Sequence, residues 1–137
     1  MGEEGTTFEM NVARLRAGYA AFNRGDIGAV LELLDPEITW QRRDVHPIQG
    51  VRKGRDTVAR DVFQSIQDQF AELVLEPVEF FDCGNHIVVR IRQRGRGRAS
   101  GAIVEGELAH VLLVRGDHLA ELRAFSSVEE AFEVVRS

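Results

Sequence analysis

Phe8, Val12, Leu15, Tyr19 and Phe22 recur at three- and four-residue steps, the spacing that places side chains on one stripe of a helix. The polar Asn11, Arg14 and Arg16 fall largely off that stripe. Asn23-Arg24-Gly25-Asp26 follows, with a glycine able to take the left-handed conformation that ends a helix and an aspartate able to cap the next. Ile27, Val30, Leu31 and Leu34 predict a second, short helix, stopped at Asp35-Pro36 because the residue before a proline is driven out of the helical region. Residues 38–41 read as a short strand and the charged, turn-rich stretch 42–55 as a loop. Ala59, Val62, Phe63, Ile66 and Phe70 return to helical spacing and predict a third helix over 56–72.

After that helix the period changes. Residues 73–82, 86–98, 103–115 and 118–126 read as strands, separated by Cys83-Gly84-Asn85, Ala99-Ser100-Gly101 and Gly116-Asp117. Such short connections imply antiparallel neighbours. Ser127-Val128-Glu129-Glu130 has the spacing of a capping box and opens a final short helix with Val128, Ala131, Phe132 and Val135 on it. This order predicts an α+β domain: three N-terminal helices over a cone-shaped, curved antiparallel sheet that encloses an apolar pocket, with a short C-terminal helix. Residues 1–7 read as a flexible N-terminus and 8–137 as a single domain.

Composition narrows the function. A chain of 137 residues suits one domain with a real core. It holds no apolar run of the ~20 residues a membrane span needs, and its acidic start lacks the basic and apolar regions of a secretory leader, so a cytoplasmic location is expected. A net charge of −5 argues against nucleic acid as a partner. The lone Cys83 can neither close an internal disulfide nor build a cysteine metal cluster, and reads as a thiol flanking a turn. There is no histidine or carboxylate pair at metal-ligand spacing, no phosphate loop, no dinucleotide fingerprint and no serine elbow, so neither a metal nor a cofactor is expected.

Three stretches carry a family likeness: Tyr19-Ala20-Ala21-Phe22-Asn23-Arg24-Gly25-Asp26, Gly50-Val51-Arg52-Lys53-Gly54-Arg55-Asp56 and Gly106-Glu107-Leu108-Ala109-His110-Val111. Together they resemble the nuclear transport factor 2-like superfamily, and within it the SnoaL-like group related to polyketide cyclases, over nearly the whole chain. The resemblance implies the cone fold. It does not imply one activity, since isomerases, cyclases, epoxide hydrolases, ligand binders and interaction modules share this scaffold. A ketosteroid-isomerase-like site would have a base near Gln41, a phenol near Gly18 and a carboxylic acid near Ala109, and all three groups are missing. Tyr19 lies one step from the phenol position, about 100° around the helix, and is expected to point elsewhere. The Arg-x-Asp of an epoxide-hydrolase-like site is replaced by Glu105-Gly106-Glu107, and the late acid of a cyclase-like site by Ala124, with Glu121 on the other face.

Side chains alternate along a strand, so Glu105, Glu107, Ala109, Val111 and Leu113 share one face while Leu108, His110 and Leu112 share the other. The superfamily register implies that the Glu107 face points inward. Glu107 then becomes the acid/base candidate, because a carboxylate in an apolar cone is held protonated toward neutral pH; a solvated or arginine-paired rim position is the competing reading. Tyr19, Trp40, His46, Phe63, Phe70, Val89, Ile91, Ala109 and Leu122 are the candidate ligand-binding residues, although an aromatic stripe at helical spacing equally serves as core. His46, in a loop, could relay a proton or simply be solvated, and His86 and His118 abut turns and are expected at the surface. On the implied convex face, Leu108, His110, Leu112 and Phe125 suggest a homodimer contact. Arg90, Arg92, Arg94, Arg96 and Arg98 alternate along one strand without interleaved aromatics. They read as a stripe paired to Glu76, Glu79 or a facing subunit rather than as a nucleic-acid track. The functional expectation is a pocket protein that binds a small hydrophobic molecule without a recognisable catalytic set. Its alternative is a cofactor-independent isomerase, cyclase or hydrolase using acid/base chemistry.

Overall fold

The first apolar stripe folds as α1 (Glu3–Asn23), in a computed structural model that describes residues 3–42 and 50–136. The helix thus begins inside the 1–7 stretch expected to be flexible. It ends as the sequence predicts. Gly25 adopts φ +82°, the Asp26 N–H donates to the Ala21 carbonyl and the Gly25 N–H to that of Phe22, which is the Schellman pattern of helix termination. Asp26 then caps α2 (Ile27–Leu33), its Oδ1 accepting from the Ala29 N–H at 3.1 Å. Gly18 lets the two helices meet, since a Cβ there would lie 2.7 Å from Leu33 Cδ2.

Strand β1 (Leu34–Arg42) starts earlier than the predicted strand and runs through Pro36, where its pairing register shifts between Leu34 and Thr39. The stretch predicted as loop contains β2 (Gly50–Lys53), a hairpin partner of β1. The third helix is one rod in three pieces, α3 (Arg55–Val58), a π-helical segment (Ala59–Phe63) and α4 (Gln64–Gln69), joined through residues of right-handed helical conformation. Its start is tied down by Arg55, whose guanidinium donates twice to the Leu34 carbonyl at 2.7 and 3.2 Å. Phe70 leaves the helix and opens β3 (Phe70–Cys83), followed by β4 (His86–Gly97), β5 (Ile103–Arg115) and β6 (His118–Phe125).

The strands form one six-stranded sheet in the order β2-β1-β6-β5-β4-β3. Every pairing is antiparallel except β1 with β6, which run parallel. The concave face packs against α1, α2 and the α3–α4 rod through Leu15, Ile38, Val58, Phe63, Val89, Ile91 and Leu112. The convex face is covered at one end by α5 (Val128–Arg136), where Val88, Ala109, Val111, Phe125 and Ala131 form a second, smaller core with Phe81 set edge-on against Phe132 at 5.0 Å. Ser127 Oγ accepts from the Glu130 N–H, while the Glu130 carboxylate takes the N–H and hydroxyl of Ser126, so the capping box closes on the residue before the predicted one. Cys83, the last residue of β3, is half-buried against this smaller core. Burial, with the charge of Asp82 behind it, raises its thiol pKa. Among the described residues no helix is long and apolar enough to cross a membrane.

Candidate functional site

Between the concave face and the helices lies a cavity of about 230 Å³. Helix α1 contributes Leu15, Tyr19 and Phe22; the α3–α4 rod contributes Val62, Phe63 and Ile66; and β1 contributes Trp40. From the sheet come Phe70, Leu73 and Leu75 of β3, Gln93 of β4, Leu108, His110 and Leu112 of β5, and Leu122 and Ala124 of β6. No Asp, Glu, Lys or Arg is among the described lining residues. The π-helical segment supplies Val62 and Phe63, and such segments recur where a helix serves a site rather than only a core. Phe63 stands edge-on to Trp40 at 5.5 Å and tilted against Phe22 at 6.2 Å, which builds an aromatic wall from three separate elements.

The polar centre of the cavity is a pair. The Tyr19 hydroxyl and His110 Nδ1 are 2.7 Å apart, with the two residues 8% and 6% exposed. A buried tyrosine seeks a partner for its hydroxyl, and here the partner comes from the strand facing the helix. Burial pushes the Tyr19 phenol well above the usual tyrosine range, so it stays protonated. Tyr19 is aimed by Asn23, one turn further along α1: its side chain donates to the Leu75 carbonyl and accepts from the Leu75 N–H, both at 2.8 Å. That two-point clamp fastens the end of α1 to the edge strand β3 and fixes the helix rotation.

This arrangement reverses the expected faces of β5. Val89 stands opposite His110 and Ile91 opposite Leu108 on the concave side, while Arg90 stands opposite Ala109 and Arg92 opposite Glu107 on the convex side. The alternation itself is as expected, but the inward set is the one with His110. A one-residue difference in register moves every side chain to the other face. Glu107 is therefore exposed on the outside of the sheet, and the acid/base candidate lies away from the cavity. Ala109 sits under α5 rather than in the cavity. Leu108, His110, Leu112 and Phe125 all border the cavity, Phe125 being buried in the core under α5 as well, so this set does not form an open convex surface for a second subunit.

Of the other candidates, Tyr19, Trp40, Phe63, Phe70 and Leu122 line the cavity, Phe70 from a strand rather than a helix. Val89 and Ile91 belong to the concave core but not to the cavity wall. His46 lies outside the described residues. His86 approaches Glu121 at 3.5 Å, and Glu121 also meets Arg123 at 3.2 Å, both contacts outside the cavity. The arginines of β4 form a ladder on the convex face: Arg90 with Glu79 at 2.6 Å, Arg92 with Glu76 at 3.7 Å, Arg94 with Glu105 at 3.6 Å and Arg96 with Glu72 at 3.8 Å. Arg98 instead donates to the Gln67 and Phe70 carbonyls and closes the end of α4. Among the described residues no cluster of three or more His, Cys, Asp or Glu could hold a metal ion.

Three solved structures show how widely this architecture is shared. An NTF2-like protein of unknown function from Burkholderia pseudomallei is 25% identical, with 93% of this chain and 98% of that one covered and a TM-score of 0.75. TerC, co-crystallised with polyporic acid, is 18% identical over 93% and 98% of the two chains, also with a TM-score of 0.75. A protein with a ketosteroid isomerase-like fold from Catenulispora acidiphila, in complex with trimethylamine, is 16% identical over 83% and 85%, with a TM-score of 0.71. No curated protein matches the chain. The model of the SnoaL-like domain matches residues 15–122, the span from the cavity side of α1 to the inner face of β6. With its curved sheet, covering helices and this match, the chain belongs to the SnoaL-like family of the NTF2-like superfamily.

Proposed function

We propose that this protein binds a small, mainly apolar molecule between the concave sheet face and the helices. The observation that carries the reading is the roughly 230 Å³ cavity with an aromatic and aliphatic wall and no charged lining residue among those described. Well-packed interiors leave few voids larger than a water molecule, and small-molecule sites combine such a wall with a few placed polar groups. Tyr19, His110 and Gln93 are those groups. An apolar cavity of about 150 Å³ accepts benzene, so this one suits a compound of one or two rings.

Trp40 is the only tryptophan in the chain and lines the cavity, so it reports occupancy directly. Titration with ethylbenzene should give a saturable change in Trp40 fluorescence and a matching rise in the unfolding temperature. A response that is absent, or that rises without saturating, would count against the reading.

A second reading, cofactor-independent acid/base chemistry on a small hydrophobic substrate, is favoured by the Tyr19–His110 hydrogen bond alone. With Glu107 on the convex face, proton transfer would run through this hydrogen-bonded pair. Turnover that survives Tyr19→Phe at the wild-type rate would remove it.

A further inference from the structure

We infer that Gln93 reads the ligand, and that the ligand presents to it an amide edge: a primary carboxamide or a lactam, with a carbonyl oxygen and an N–H side by side. This rests on the proposed binding function and specifies its chemical class. Two observations carry it. The first is that Gln93 is held in an apolar frame with its own amide free. It stands on the concave face of β4, paired across the sheet with Leu75 of β3 and Gly106 of β5. It lines the cavity together with Leu73, Leu75, Val104 and Leu108. Tyr19 and His110 are joined to each other, whereas the Gln93 side chain makes no hydrogen bond among the described residues. Gln93 is half-buried, so a ligand that covers its amide must supply the hydrogen bonds that solvent gives up.

The second is the space beside that amide. Gly106, its partner on β5, is exposed, and a Cβ there would meet no atom within 4 Å. Val89 and His110 form the pair four residues further along both strands, roughly 13 Å away at the usual strand rise, and both are buried. The cavity is therefore closed at the His110 end and open at the Gln93 end. A ligand whose apolar body lies inward leaves its terminal group at Gln93, where the glycine gives it room. The carboxamide offers that group an acceptor oxygen and a donor N–H in one plane. An ester or ketone answers only the N–H and sets its oxygen against that of Gln93. A carboxylate does the same and brings a charge to a wall with no cation among its described residues. An amide edge satisfies both atoms at once, through a ring of two N–H···O bonds.

The test is calorimetric titration of the wild-type protein and Gln93→Met, a variant of similar side-chain length without the amide. The probes are 3-phenylpropanamide, methyl 3-phenylpropanoate and butylbenzene, which share a phenyl-ended frame and offer Gln93 a donor and acceptor, an acceptor alone, or neither. Gln93→Met should weaken the amide by about 10-fold, the ester by no more than about 3-fold, and butylbenzene not at all. Butylbenzene binding also shows that the variant is folded with its cavity intact. In nuclear magnetic resonance spectra of the wild-type protein, one Gln93 side-chain N–H proton should move downfield with the amide and stay in place with butylbenzene. That readout stands even if the variant fails to fold. Equal loss of amide and ester in Gln93→Met, amide binding that is absent from the wild type or unchanged in the variant, or an unmoved Gln93 proton would overturn the inference while leaving the pocket reading in place. Failure of butylbenzene and both other compounds to bind the wild type would remove both.

Discussion

The two faces of β5 differ by one residue in sequence and by everything in environment. On the convex side Ala109 and Val111 are fully buried under α5, and further along Glu107 faces Arg92 in solvent. On the concave side Leu108, His110 and Leu112 border empty space that holds one buried hydrogen-bonded pair. The contrast shows what a second covering layer does. The short helix α5 packs against the sheet through Val128, Ala131 and Phe132, whereas the curved sheet and the helices on its other face enclose a cavity.

That difference can be probed with the same substitution on both faces. Ala109→Leu adds bulk at a fully buried position under α5 and should cost about 1–3 kcal/mol, measured by urea unfolding. A cost below that range would show that α5 is loosely seated. Next in size is the alkaline response. Tyr19, pushed up by burial, ionises in the folded protein only above the usual tyrosine value of about 10. Below pH 10 both states keep the proton and this residue makes no slope. Above it the unfolded chain loses its proton first, so stability should fall by up to about 1.4 kcal/mol per pH unit. Tyr19→Phe should flatten that fall, and an unchanged slope would mean that the phenol is not the buried group responsible.

Ala124→Leu places the same added bulk into the cavity, beside His110 on the neighbouring strand. Stability should change by less than about 1 kcal/mol, while the Trp40 response to ethylbenzene disappears. Retained binding would place the ligand elsewhere. The smallest effect belongs to the convex ladder, where Arg94→Gln should leave the urea midpoint unchanged within error, because its contact with Glu105 at 3.6 Å is between side chains that are 74% and 65% exposed. A clear loss would mean that these arginines contact something beyond their own chain.

Much of the fold was legible in the chain. The Phe8-to-Phe22 stripe, the Gly25-Asp26 punctuation and the four strand segments are local signals, and the strands observed as Phe70–Cys83, His86–Gly97, Ile103–Arg115 and His118–Phe125 match their predicted spans within a few residues. The β1–β2 hairpin was not legible, because β2 is four residues long and its charged sequence looks like loop until β1 pairs with it. Phe70 was read as helical since its spacing suits either state, and the rod ends just before it. The cavity walls contributed by Tyr19, Trp40, Phe63 and Leu122 were visible as apolar positions. The polar pair at their centre was not.

The reason lies in β5. Leu108-Ala109-His110-Val111-Leu112 is apolar on both sides of its histidine because α5 covers one face and the helices cover the other. Alternation then says which residues travel together but not which way they point. By itself the sequence determined the elements, their order and the two sets of side chains on each strand, since these depend on local backbone preference and periodicity. Which set faces the cavity, and therefore that His110 rather than Glu107 meets Tyr19, was decided only when the sheet curved around one layer of helices and accepted α5 on the other. Facing is a property of the whole packing and has no local code.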